Sequence, residues 1–383
     1  MRTRRLVLSV LVAASTGVAA TTHDRQNLDA AESFPQLFDR YRTGDAENAA
    51  IAFAAWSEER LDRDARLPAP ASDDWTLAAL AVLHTEAGFR NDTFGRFRKG
   101  TPNFINLGSW GLEKVFEKHA FTSYRLVNDL LARAKEDDDA RMVAFSRSWY
   151  IVSVSYCLRW QLDCAGGLFQ KALHEFKDDA EVALLDGATA EALMTGLSKD
   201  FLGMQLGATG LGEISTSHGV FGPERQEAEW ALRRALKLDP TLVEARVRLG
   251  RVLYMLDRNE EARQELEQAR LEARAQKQLF ATYLSALFLG ELAEHEDDDL
   301  AGAIPYYREA VAAYPRAHTA AVALGQALVR SGLGNAGWPA ARSMFGDEGQ
   351  GGTAVLDPWS VYRGAQYWQE ASRIRMMREM TRQ

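Results

Sequence analysis

The stretch from Pro223 to Arg270 constrains the fold most, because its apolar residues come back at a fixed interval. Ala228, Leu232 and Ala235 recur at helical spacing, and Asp239-Pro240 closes the run. A second helical run carries Leu249-Gly250. Ala262, Leu266 and Ala269 then restate the first pattern 34 residues on. A unit of that size is a helical hairpin that cannot bury its apolar face alone, so it must stack on copies of itself.

Length fits such a stack. A chain of 383 residues buries roughly 75% of its unfolded surface, and a repeat array grows without dividing into separate cores. The formal net charge of −8 argues against nucleic acid, whose binders displace counterions with a basic face. It argues equally against docking on anionic lipid.

The first 20 residues read as a signal peptide. Arg2, Arg4 and Arg5 precede a short apolar run, Leu6 to Ala14, and Val18-Ala19-Ala20 offers a cleavage site after Ala20. The run is too short to serve as a membrane anchor, and no later stretch is long and apolar enough to span a bilayer. No cysteine lies near the cleavage site to take a lipid. The expectation is a mature chain that is periplasmic or secreted, with no membrane insertion after signal removal.

Residues 21–138 read as an N-terminal helical region with degenerate repeats. Tyr41, Gly44, Ala49 and Phe53 mark a worn hairpin, and Trp56 continues its apolar face. Leu67-Pro-Ala-Pro70 breaks the helix, and Ser72-Asp-Asp74 caps the next one, Trp75 to Phe89. A loop at 91–111 interleaves Phe94, Phe97, Phe104 and Trp110 with Arg96, Arg98 and Lys99. It either holds an anionic ligand or is pinned to the stack by its rings. A helix from Leu112 to Ala134 follows.

Residues 139–350 read as the regular array. Trp149, Val152, Ser153 and Tyr156 lie on one helix; Ala165, Phe169 and Ala172 lie on the next. Ser153 and Ala165 let two backbones approach, and the large side chains fill the surrounding space. Gly187 repeats the role of Ser153, yet the matching partner helix is the one bearing Ala228. An insert at 195–222, rich in glycine, therefore splits one unit. Gly250, Gly290 and Gly325 mark the remaining units. Asp357-Pro358 opens a final helix running to about Arg378, read as a cap on the stack over 351–383. Cys157 and Cys164 flank a tight turn. Either they form a disulfide contributing about 2.5 kcal/mol, or they are two free thiols packed as small apolar residues.

Taken together, these residues resemble the tetratricopeptide repeat family from Arg147 to Phe345, with a weaker version over 28–63. The tail Asp357-Pro-Trp-Ser-Val-Tyr362-Arg-Gly364 is similar to the end of exported bacterial repeat proteins. The resemblance implies an all-α fold: an α-solenoid, a right-handed superhelix of antiparallel helix pairs. Its concave face, lined by the first helix of each pair, binds peptides or proteins. Projected here, that face carries Tyr150, Val154, Glu244, Val247, Arg251, Tyr254, Leu287, Glu291, Glu294, Val322, Gln326 and Arg330. The polar and aromatic members Tyr150, Glu244, Arg251, Tyr254, Glu291, Gln326 and Arg330 are the candidate partner contacts. The family's carboxylate clamp uses Lys and Asn, whereas Tyr150, Val154, Val247 and Leu287 stand at the matching places. A mixed apolar and charged groove suits an extended or helical peptide instead.

Catalytic constellations are missing from the sequence. His84 and Glu86 point to different sides of one helix, and His23, His119, His174, His218, His295 and His318 are scattered. No paired-histidine metal motif, phosphate loop or nucleophile elbow occurs. The acidic runs Glu136 to Asp139 and Glu296 to Asp299 precede helices and read as caps rather than calcium loops. The expectation is a scaffold binding a protein or peptide partner, with no cofactor, no metal and no catalysis of its own. Two alternatives are a carbohydrate or cell-wall enzyme with a carboxylate beside a pocket, and a nutrient-binding accessory protein. In this register Ala262→Trp overpacks a helix contact, while Glu244→Ala is nearly neutral.

Overall fold

The computed structural model describes residues 33–61, 73–90, 110–159, 164–195, 222–296, 298–333, 357–363 and 367–382. Among these residues the secondary structure is helical, without strands. The helices are α1 (Phe34–Thr43), α2 (Ala46–Leu61), α3 (Asp74–Arg90), α4 (Trp110–Glu136) and α5 (Ala140–Arg159). Next come α6 (Cys164–Glu175), α7 (Ala180–Thr195), α8 (Gly222–Leu238), α9 (Val243–Met255) and α10 (Asn259–Ala275). The last are α11 (Leu279–His295), α12 (Leu300–Ala313), α13 (His318–Arg330), α14 (Pro358–Arg363) and α15 (Glu370–Met380).

From α1 to α13 each helix packs on the next, and α5, α7, α9 and α11 also touch in series. The fold is thus an α-solenoid whose first helices line one side and whose second helices line the other. One apolar core runs from Phe34 through Trp149 and Ala228 to Leu253. A second runs from Val243 through Tyr283 and Tyr307 to Tyr362.

Small residues set the repeat. A Cβ on Gly250 would stand 2.6 Å from Leu266 Cγ and 3.3 Å from the Ala262 carbonyl. Gly187 meets Leu232 in the same way, and Gly290 meets Tyr307. The contact between Gly187 and Leu232 shows that α7 and α8 form one unit despite the insert. Residues 196–221 of that insert, like the loop at 91–109 and residues 1–32, lie outside the described residues.

One turn device recurs. Asp138, Asp257, Lys277 and Gly332 take left-handed backbone (φ 56°, 59°, 56° and 79°). In each case the next amide donates to the carbonyl five residues back: Asp139 to Ala134, Arg258 to Leu253, Gln278 to Ala273, Leu333 to Leu328. The bond satisfies a carbonyl left free at the helix end and turns the chain sharply. Both acidic runs end in caps. Asp139 Oδ1 accepts from the amides of Arg141 and Met142, and Asp299 Oδ1 from that of Gly302.

The C-terminal segment departs from expectation in two ways. It forms two helices, α14 and α15, rather than one. Nor does α15 stack beyond α13: it packs against α5 and α3, and α14 lies on α11.

Candidate functional site

Residues 357–363 and 367–382 lie along the first helices of the solenoid and meet them in reverse order. Asp357 fixes the start of this path. Its Oδ2 accepts from the Thr319 amide and hydroxyl, both at 2.8 Å, and its Oδ1 accepts from Tyr283 Oη at 3.0 Å. Oδ1 also accepts from the Trp359 amide, capping α14 at the proline that opens it. The Trp359 ring meets Phe288 edge-on and stacks on Tyr362.

Deeper in, Tyr362 donates its hydroxyl to Glu191 of α7. The Arg248 guanidinium of α9 sits 4.8 Å from the Tyr362 ring and 5.7 Å from that of Trp368. Arg248 also bridges Glu191 and Glu244, each at 3.0 Å. Burial pushes both carboxyls up, each to about 7, against the pull of Arg248. The Trp368 amide donates to Glu244 Oε2 at 3.3 Å, and its ring lies 4.6 Å from that of Phe280.

Beyond them, Tyr367 donates its amide to Ser155 Oγ at 2.9 Å and its hydroxyl to Glu181. Arg373 donates to Glu181 and to Ser148 Oγ. Arg378 forks onto both oxygens of Glu86 on α3, where Tyr41 of α1 also donates at 2.7 Å. Arg141 closes the path by donating to the Met380 carbonyl at 2.7 Å.

Of the projected contacts, Glu244 and Arg251 do face this channel. Glu244 is 6% exposed and is covered by the tail. Its expected neutrality to substitution is therefore corrected, because its loss strips a partner from an enclosed guanidinium. Arg251 is half-buried, paired with Glu291 at 2.8 Å and set over the rings of Tyr254, Phe288 and Trp359. Gln326 and Arg330 are exposed, and Arg330 pairs with Glu294. Tyr150 does not face a groove: it is fully enclosed, with its hydroxyl 2.7 Å from Asn128 Oδ1 and its ring against Phe176. Val154, Val247 and Leu287 are buried as well. The side chains of Cys157 and Cys164 lie outside the described residues.

Sequence reasoning missed Arg248. The signal was present: Glu244, Arg248 and Arg251 at spacings of four and three make a charged stripe on one face of α9. It also missed that His84 and His119 meet, with their Nδ1 atoms 2.9 Å apart, both buried and both lowered by burial.

The fold defines a class, the helical repeat scaffold. A tetratricopeptide repeat family model matches residues 224–284, which supports reading that stretch as tetratricopeptide repeats. Two solved structures are similar to it. A human IFIT1 dimer with PPP-AAAA is 14% identical with a TM-score of 0.39, covering 81% of this chain and 68% of that one. A human IFIT1 dimer with m7Gppp-AAAA is 14% identical with a TM-score of 0.40, covering 81% and 67%. At these values neither bears on what this chain holds. No curated protein matches the chain.

Proposed function

We propose that this chain is an exported scaffold that holds a protein or peptide segment along the inner side of its repeat array, without chemistry of its own. The observation that carries the reading is the seat of residues 357–382. Side chains from α3, α5, α7, α9, α11 and α13 are already arranged to grip a polypeptide there. Laying one segment across successive repeats is what such an array is built for. Carboxylates are indeed enclosed along this channel, as the enzyme alternative requires. Yet Glu86, Glu181, Glu191 and Glu244 are each bonded to arginine and to tail or neighbouring groups. They hold the tail and the array together. The partner contacts left accessible beside the tail are Arg251, Tyr254, Glu291, Gln326 and Arg330.

Photo-crosslinking residues placed at Tyr254 and Gln326, and at Trp230 and Leu271 on the second helices, test the reading in the native host. A partner captured from the first pair and not the second is the expected result. Capture from Trp230 or Leu271 alone moves binding to the outer side and overturns it. Export is tested by the mature amino terminus, expected at Thr21.

A further inference from the structure

We propose that residues 357–382 are an internal stand-in for the partner. They occupy its seat until displaced by a segment of like chemistry: aromatic hydroxyl and indole groups followed by two arginines on one helix. This rests on the scaffold reading and adds to it both a ligand class and a means of control.

Three observations carry it. First, the tail lies outside the repeat pattern. Among the described residues it runs against the direction of the array. Second, it grips through Trp359, Tyr362, Tyr367, Trp368, Arg373 and Arg378. Tyr, Trp and Arg are the types enriched where separate proteins meet. Within α15 only Glu370 and Met377 are buried. Third, the seat is complementary in charge. Glu86 receives Arg378, and Glu181, which also holds Arg147 of α5, receives Arg373, so the end near α3 and α5 accepts a basic helix.

Tethering decides how this works. A segment joined to its own site is present at an effective concentration on the order of millimolar. A free segment must therefore bind better than the tail to replace it. An occupied seat lowers apparent affinity by the fraction of molecules that are open. The array then answers only to partners that match the tail's pattern well.

The test uses the whole chain with a site-specific protease sequence inserted after Gln350. Cutting there leaves every described residue present but removes the tether. A labelled peptide of residues 357–383 is then offered to cut and uncut protein, and exchange is followed by fluorescence anisotropy. The cut protein is expected to keep its helical signal and to take up the peptide, while uncut protein takes up far less. The same peptide carrying Arg373→Glu and Arg378→Glu is expected to compete about tenfold or more weakly. A tail that does not exchange from folded, cut protein overturns the proposal. So does collapse of the array when the tail leaves, which would mean that Tyr362, Tyr367 and Met377, already packed into the apolar cores, are needed to hold the array together. Tails traded between two uncut copies, seen as a dimer in sedimentation, also overturn it. None of these failures touches crosslinking at Tyr254 and Gln326, so the scaffold reading stands or falls separately.

Discussion

Arg248 is 1% exposed, and two carboxylates share it. Burial favours the protonated form of both carboxyls and outweighs the pull of the arginine between them. Losing Glu244 removes one of the two carboxylates that hold Arg248. Glu244→Ala is expected to lower stability by about 1–3 kcal/mol in urea denaturation. An unchanged midpoint would contradict the pairing. The pH dependence has a definite sign. Glu191 rises on folding from an ordinary 4.5 to about 7. A carboxyl raised in this way stabilises the fold fully below its unfolded value and loses that contribution as pH rises through the folded one. His84 and His119 act in the opposite direction, since burial lowers them and their contribution fades as pH falls. The informative quantity is therefore a difference. The melting temperature of Glu191→Gln relative to the native chain should climb from about pH 5 to about pH 8. A flat or falling difference counts against the buried triad.

Helix pairs are where the sequence was most legible. Gly187, Gly250 and Gly290 each mark a contact with the next helix; the partners of Gly250 and Gly290 fell where the period put them, and that of Gly187 beyond the insert. The reason is local: a backbone approach that excludes a Cβ leaves glycine as the residue that fits. Gly250→Val should cost about 1–3 kcal/mol by driving into Leu266 and the Ala262 carbonyl. Gly44, on a turn at φ 138° with open space around it, marks a turn rather than a contact. Turns offer a gain instead of a loss. Lys277 holds a left-handed conformation that costs an L-residue about 1–2 kcal/mol. Glycine is the usual occupant there, so Lys277→Gly should raise the unfolding free energy by about 0.5–1 kcal/mol. A lower melting temperature would mean that the lysine side chain matters more than its backbone. The division of the last helix was less legible. Gly364 falls between α14 and α15, and glycine weakens a helix interior by about 1 kcal/mol. The sequence signal was there, overshadowed by the proline that opens α14.

Across the whole molecule, periodicity loses its reach. It reports contacts one repeat away and says nothing of residues 186 or 292 apart, the separations that join Tyr367 to Glu181 and Arg378 to Glu86. That is why Tyr362, Tyr367 and Arg378 could not be read from the sequence as occupants of the face that the first helices line. Four inner-face residues, Tyr150, Val154, Val247 and Leu287, were displaced into the core for a related reason. Neighbouring helices enclose positions that an isolated hairpin would leave open. The path of the tail is the claim on which the account rests, and spin labels measure it directly. In a chain with Cys157 and Cys164 replaced by serine, one label goes on exposed Glu379. A second goes either on exposed Thr43, beside Tyr41, or on exposed Ser331 at the end of α13. The account predicts that the distance from 379 to 43 is shorter than that from 379 to 331. The reverse order would place α15 on the end of the stack and contradict it.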